Sequence, residues 1–323
     1  AMHPVSRRHF LKTTGRTLSL AAFAGLSVQC GGQAGTEQAA GGRVWTGFKY
    51  AMCNECMQEL PWSEQCRIMS DAGYTGVEIA PFTLVRESVN ELGPAQRQEL
   101  VRVMGDYGLE CVGLHWLLAP PPQGLHFTTP DPVVRAATVQ YLADLVDFCA
   151  DLGGRVLIFG SPNQRNTQGI SVAEAKQHFI EGLTRVADHA GAREVKILVE
   201  TLDSSQTDVV NTMAESVEIV RAVDKPAVGT MFDYHNTLDE TETLESLIRT
   251  HFDRIEHVQI QEMDGRHLGT GTARDAYVDS FRALRQLGYD KWISLEIFDF
   301  TPGGVVIAQE SMEVLRALEA ASA

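Results

Sequence analysis

From residue 47 the chain repeats one alternation, a short apolar run followed by a longer amphipathic stretch. The apolar runs predict eight strands: 47–53 (GFKYAMC), 76–80 (GVEIA), 110–115 (ECVGLH), 155–160 (RVLIFG), 196–201 (KILVET), 227–233 (AVGTMFD), 255–261 (IEHVQIQ) and 292–298 (WISLEIF). The stretches between them carry helical periodicity. Leu142, Leu145, Val146 and Cys149 recur at i, i+3, i+4, i+7, and Tyr277, Phe281 and Leu284 follow the same rule. Ala72-Gly73-Tyr74 and Leu287-Gly288-Tyr289 each place a glycine where a helix closes before the next strand.

Eight strand–helix units in about 280 residues predict a single-domain α/β (β/α)₈ TIM barrel over residues 43–323. A doubly wound open sheet is the alternative. It usually needs a glycine-rich phosphate turn after its first strand, and CNECMQELPW is not one.

Strand seven departs from the apolar rule. In IEHVQIQEMDGRH (255–267), His257, Gln259 and Gln261 share one face, and Val258 and Ile260 share the other. Polar groups turned into a protein interior cost roughly 1–3 kcal/mol each unless they find partners. The neighbouring strands end in the same way. Glu200 lies opposite Ile197 and Val199, Asp233 opposite Phe232, and Glu296 opposite Leu295 and Ile297. The C-terminal ends of barrel strands carry the chemistry, so strands five to eight are expected to converge four oxygen ligands, Glu200, Asp233, Gln259 and Glu296. Three carboxylates at one mouth repel, and some must hold protons. One divalent cation removes that conflict. Carboxylate and amide oxygens suit Mn²⁺ or Mg²⁺, and Co²⁺ or Zn²⁺ can occupy such sites.

With these motifs in hand, the order ILVETLD, MFDYHN, HVQIQE, SLEIF is similar to that of the xylose isomerase-like barrel superfamily. That superfamily holds hydroxypyruvate isomerases, ketose 3-epimerases and the endonuclease IV type. IEHVQIQEMDGRHLGTGT (255–272) looks like the seventh strand and loop of hydroxypyruvate isomerases, and GVEIAPF (76–82) and LIFGSPNQR (157–165) fit the same group. The resemblance covers nearly all of residues 47–323. It implies metal ligation by Glu200, Asp233, Gln259 and Glu296, with Glu200 and Glu296 also moving the proton through a metal-stabilised enediolate. It further implies substrate contacts from His115, Trp116, Gln206, His235, His257 and Arg266. The epimerase branch carries histidine where this chain has Gln259, and a glutamate where it has Gln206, so the resemblance leans toward the hydroxypyruvate isomerase branch. The family's histidine stands three residues after the aspartate, where this chain has Asn236; His235 is two after.

The expected activity is therefore a sugar or small keto acid isomerase or epimerase. Alternatives are a metal-dependent lyase or hydratase on 3-keto-glycosides, a non-catalytic sugar-binding lipoprotein, or an endonuclease. Two local features stay open. Asn54–Glu55 either lines the pocket or caps its loop. GTGT at 269–272 is either a phosphate cradle or, more simply, a tight loop.

Charge narrows the partners. The formal net charge is −15, and setting aside residues 1–42, with four basic residues and one acid, brings it to −18. Such a body repels phosphate backbones and anionic lipid, which argues against nucleic acid. A small-molecule sugar or keto-sugar is the expected partner, and the oligomeric state is left open. Residues 1–42 resemble a twin-arginine export signal and flexible linker. Arg7 and Arg8 precede Phe10, Leu11 and Lys12, then a weakly apolar run to Val28, and GGQAGTEQAAGG follows. A periplasmic location is expected, with any membrane attachment through lipidation of Cys30, although Gln29 departs from the small residue that a lipidation motif prefers. Cys53 and Cys56 form a C-x-x-C without a second pair, so buried thiols are expected ahead of a zinc site or redox pair.

Overall fold

A computed structural model describes residues 46–323. The expected signal, linker and Cys30 lie outside these residues. The strands are β1 (Lys49–Cys53), β2 (Gly76–Ile79), β3 (Glu110–Leu114), β4 (Val156–Phe159), β5 (Lys196–Val199), β6 (Val228–Asp233), β7 (Ile255–Ile260) and β8 (Trp292–Leu295). They pair in parallel in chain order and close on themselves, β1 meeting β8 from Lys49↔Trp292 to Met52↔Leu295. An open doubly wound sheet would leave those two edges unpaired, so that alternative is excluded. Each strand lies inside its predicted run and is trimmed where the chain leaves the ladder to build a loop.

The helices are α1 (Trp62–Ala72), α2 (Pro94–Asp106), α3 (Pro132–Asp151), α4 (Val172–Ala192), α5 (Met213–Val223), α6 (Leu244–His251), the short α7 (Ala273–Ala276), α8 (Val278–Gln286) and α9 (Gly304–Ala321). Their starts follow capping chemistry. Asp131 accepts from Val133 N at 2.8 Å to open α3, and Ser171, Thr212 and Thr243 do the same for α4, α5 and α6. Gly73 and Gly288 adopt φ of 103° and 74°, which lets Tyr74 N and Tyr289 N return to Met69 O and Leu284 O. Both tyrosines are thereby turned into the core.

Period-two alternation divides the strand side chains between two cores. Val77, Ile79, Ile197, Val199, Phe232, Val258, Ile260, Ile293 and Leu295 face outward and pack with Leu142, Leu145, Val146, Cys149, Phe281 and Leu284 of the helices. Inside the barrel a separate small cluster, Ala51, Val112, Val156, Ile158, Leu198 and Met231, fills the interior as a packed plug. The inward positions that follow along β5, β6 and β8 are Glu200, Asp233 and Glu296. The interior thus changes from apolar to polar toward the C-terminal ends. Among the described residues no helix is long and apolar enough to cross a membrane.

Candidate active site and metal centre

Glu200 follows β5, Asp233 ends β6 and Glu296 follows β8. Each offers a carboxylate oxygen, and the three oxygens lie within 4.8 Å of one another. All three side chains are buried. Gly160, after β4, leaves room for Glu200: a Cβ there would stand 2.2 Å from Glu200 Oε2, and the carboxylate would have to shift. The Asn236 amide nitrogen ties two of the acids together, donating to Glu200 Oε1 at 2.9 Å and Asp233 Oδ2 at 2.5 Å. The buried Arg165 donates to Phe159 O at 3.0 Å and Glu200 O at 2.8 Å, which fastens the ends of β4 and β5 to each other.

Burial and crowding set the electrostatics. Burial lifts the Glu200 carboxyl to about 7, against the attraction of Arg165. Burial and then the Glu200 charge push Asp233 well above its ordinary range, and burial, Glu200 and Asp233 do the same to Glu296. Alone, the cluster must keep protons; a divalent cation would take their place. Gln259 supplies the test of fit. It stands in register with Asp233 across the β6–β7 ladder, is fully buried, and its carbonyl Oε1 has no hydrogen-bond partner. Three carboxylates and an unengaged amide oxygen are the donor set of a hard cation. Gln261, next on that face, is also buried, with its amide beside the Asp233 carboxylate.

A second group lies behind this one. Glu78, inward on β2, meets His257 Nε2 at 2.7 Å, Gln259 Nε2 at 2.6 Å and His115 Nδ1 at 3.4 Å. Burial would raise its carboxyl, but His257 and His115 outweigh burial and hold it near about 2. His115 Nε2 lies 2.9 Å from Glu55 Oε2. Burial would lower that imidazole, and the Glu55 and Glu78 carboxylates outweigh it, so His115 is held above its ordinary value. The open question at Asn54–Glu55 thus resolves into one role each. Glu55 turns inward to His115, whereas Asn54 braces its loop through Gln65, Thr83 and Ala80 N.

Above the carboxylates a small cavity of about 30 Å³ opens to solvent. His115, Trp116, Gln206, Glu200 and Glu296 line it, as do Asn236 and Phe298. Trp116 adopts a left-handed φ of 52°, keeps a buried, unpartnered Nε1, and sits edge-on to both Phe82 and Phe298 at 6.4 Å. Gln206 donates to Asn236 Oδ1 at 2.7 Å. Among the described residues lining this cavity there is no lysine or arginine.

Three expected substrate contacts are placed elsewhere. Arg266 is exposed on its loop and pairs with Asp264 at 2.7 Å. His235 turns Nδ1 to Met263 O at 2.8 Å and rests its ring 5.2 Å from Phe298; Asn236, one residue on, takes the place among the acids. His257 is sealed against Glu78, outside the cavity lining. The GTGT loop is tight for a reason internal to the chain. Glu262 accepts from Gly269 N and Ala273 N at 3.0 Å each, so its carboxylate fills the place a phosphate would take. Cys53 and Cys56 are free thiols; Cys53 is buried, with Sγ 3.4 Å from Glu78 Oε1.

Glu78 and Arg165 escaped the sequence reading although both lie in quoted motifs. Glu78 was detectable as a lone acid in an otherwise apolar buried strand. Arg165, on an irregular loop, carries no periodic signal.

The profile of the xylose isomerase-like TIM barrel matches residues 66–318. The chain belongs to that family. A probable ketose 3-epimerase of Synechocystis is 25% identical over 275 residues, 76% of this chain and 86% of its relative. A ketose 3-epimerase of Arthrobacter globiformis is 27% identical over 57% of this chain and 65% of its own length. A putative hydroxypyruvate isomerase of Xenopus laevis is 26% identical over 70% and 81%. Members of both branches are thus similar to this chain, and Gln259 does not by itself select one. Among solved structures, a D-psicose 3-epimerase in the presence of D-fructose matches with a TM-score of 0.71 at 19% identity, covering 83% of this chain and 97% of that one. A 3-keto-D-glucoside 4-epimerase from E. coli matches with 0.71 at 16%, covering 83% and 99%. At those identities the likeness is one of fold.

Proposed function

We propose that the protein is a divalent-metal-dependent isomerase or epimerase of an unphosphorylated sugar. The observation that carries this reading is the buried Glu200–Asp233–Glu296 cluster, with the unengaged Gln259 carbonyl in register with Asp233, below a cavity whose lining has no lysine or arginine. Glu200, Asp233, Gln259 and Glu296 would hold the ion, with Mn²⁺ or Mg²⁺ favoured by the oxygen donors. When bound, it would polarise a sugar carbonyl and offset the charge of an enediolate. Glu200 and Glu296 both line the cavity, and we assign them the removal of the proton beside the carbonyl and its return at the neighbouring carbon. His115 and Gln206 offer hydrogen bonds to sugar hydroxyls, and Trp116 and Phe298 supply the apolar walls that orient a small ligand.

The lining also selects among substrates. A sugar phosphate or hydroxypyruvate would bring negative charge to a lining that has no lysine or arginine to receive it, leaving only His115 and the proposed ion. A neutral ketose or keto-glycoside avoids that cost. Relatives named as ketose 3-epimerases support the same choice. The twin-arginine pattern favours action in the periplasm, with Cys30 the residue through which any lipid anchor would attach.

A second reading, a lyase or hydratase on 3-keto-glycosides, draws on Gln206, whose neutral amide cannot act as a second base at the cavity wall. Product analysis separates the two. Mn²⁺- or Mg²⁺-loaded protein is incubated with neutral ketoses, hydroxypyruvate and 3-keto-glycosides, and the products are identified by NMR. An epimer or aldose of unchanged mass supports the isomerase. Release of the aglycone supports the lyase. Turnover of hydroxypyruvate alone overturns the neutral-sugar assignment.

A further inference from the structure

We propose that Glu78 is a positioning residue for metal binding, acting by fixing which end of the Gln259 amide faces the ligand cluster. The proposal rests on the metal-dependent reading above and adds a residue that does not line the cavity.

The two ends of a glutamine amide have nearly the same shape and opposite chemistry. The carbonyl can ligate a cation, whereas the NH₂ group can only donate hydrogen bonds. Packing alone does not distinguish them, so a glutamine that must ligate needs a partner that does. Glu78 Oε1 accepts from Gln259 Nε2 at 2.6 Å, reaching across the barrel interior from β2 to β7. An ionised carboxylate only accepts, so it captures the NH₂ end. The carbonyl is left buried and unengaged, in register with Asp233.

Glu78 is itself held in place. His257 Nε2 meets its Oε2 at 2.7 Å, and His115 Nδ1 lies 3.4 Å from its Oε1. His257 precedes Gln259 by two residues, so both project from the same inward face of β7. One strand therefore supplies the ligand and the anchor for the group that orients it. This accounts for two of the polar side chains on the inner face of β7.

The test is a double-mutant cycle read by Mn²⁺ binding, with free Mn²⁺ counted by EPR and folding checked by circular dichroism. Glu78→Gln is expected to weaken Mn²⁺ binding about tenfold or more, the usual effect of losing an outer-shell partner. In a Gln259→Ala background the same substitution is expected to change affinity by less than about twofold, because the group it acts through is gone. Equal losses in both backgrounds would mean a general structural role and would overturn the proposal, as would unchanged affinity with Gln259 present. Should Glu78→Gln fail to fold, Glu78→Asp keeps the charge and shortens the reach by one methylene. The same background-dependent loss is then expected, and any other pattern overturns the proposal. Failure of the wild-type protein to bind Mn²⁺ at all would instead remove the metal reading, and this proposal with it.

Discussion

Gly160 and Glu200 approach so closely that a Cβ on the glycine would stand 2.2 Å from Glu200 Oε2. The glycine at the end of β4 leaves the space that the carboxylate at the end of β5 fills. Gly160 has no positive φ, so alanine is allowed by the backbone and acts only through this contact. Gly160→Ala is expected to lower turnover about 100-fold, the scale of an ångström-sized misplacement of a reacting group. Mn²⁺ affinity should fall with it while the barrel still folds. Steady-state kinetics beside a metal titration check this, and wild-type values in both would show that Glu200 need not occupy this position.

The raised carboxyls give a signed dependence on pH. In the unfolded chain these groups ionise in the ordinary carboxylate range. In the folded, metal-free protein Glu200 keeps its proton to about 7, and Asp233 and Glu296 are also raised. The unfolded state therefore binds fewer protons through that window, and the contribution of the cluster to stability falls as pH rises from about 4 to about 7. A divalent ion must displace the same protons, so its binding tightens as pH rises. The increase in Tm on adding Mn²⁺ should grow between about pH 5.5 and about pH 7.5. A larger increase at the lower pH would contradict the placement of the ion at these three acids.

Arg266 tests the distance between the sequence expectation and the structure. Its side chain is exposed and occupied by Asp264, outside the cavity lining. Removal of such an exposed pair usually has little effect, so Arg266→Ala should leave kcat/KM within about twofold. A loss of an order of magnitude would show that the loop moves to bring this arginine onto the substrate.

Glu262 provides a control away from the chemistry. Its carboxylate accepts from Gly269 N and Ala273 N and closes the loop between β7 and α7. Glu262→Ala leaves both donors without their partner and should cost about 1–3 kcal/mol of stability. Denaturant unfolding measures this, and an unchanged midpoint would mean that solvent replaces the carboxylate fully.

The barrel was legible because eight apolar runs alternate with helical stretches such as those through Leu142 and Tyr277, and period two alone assigns Glu200, Asp233, Gln259 and Glu296 to the inward face. Legibility failed where position depends on loops or on contacts across the barrel. Asn236 and His235 are neighbours after β6, and only the turn at the end of that strand decides which one meets the acids. Arg266 lies beyond the ladder, where the reach of a side chain follows no period. Glu78 does obey the alternation of β2, but its partners come from β3 and β7, and no local pattern announces a pairing of residues 181 positions apart. His257 was correctly turned inward by periodicity, yet its neighbour inside the barrel, Glu78, decides that it faces a carboxylate and not the cavity.

The central claim is that Glu200 and Glu296 move a proton on a neutral sugar held at the metal centre. The most direct measurement is deuterium incorporation by NMR in D₂O, with Mn²⁺- or Mg²⁺-loaded protein and a neutral ketose, beside Glu296→Gln. The expected result is wash-in at the carbon next to the carbonyl for the wild type, reduced at least about 100-fold in the variant, as for loss of an acid–base group. Absence of exchange in metal-loaded wild type, or equal exchange in the variant, would contradict it.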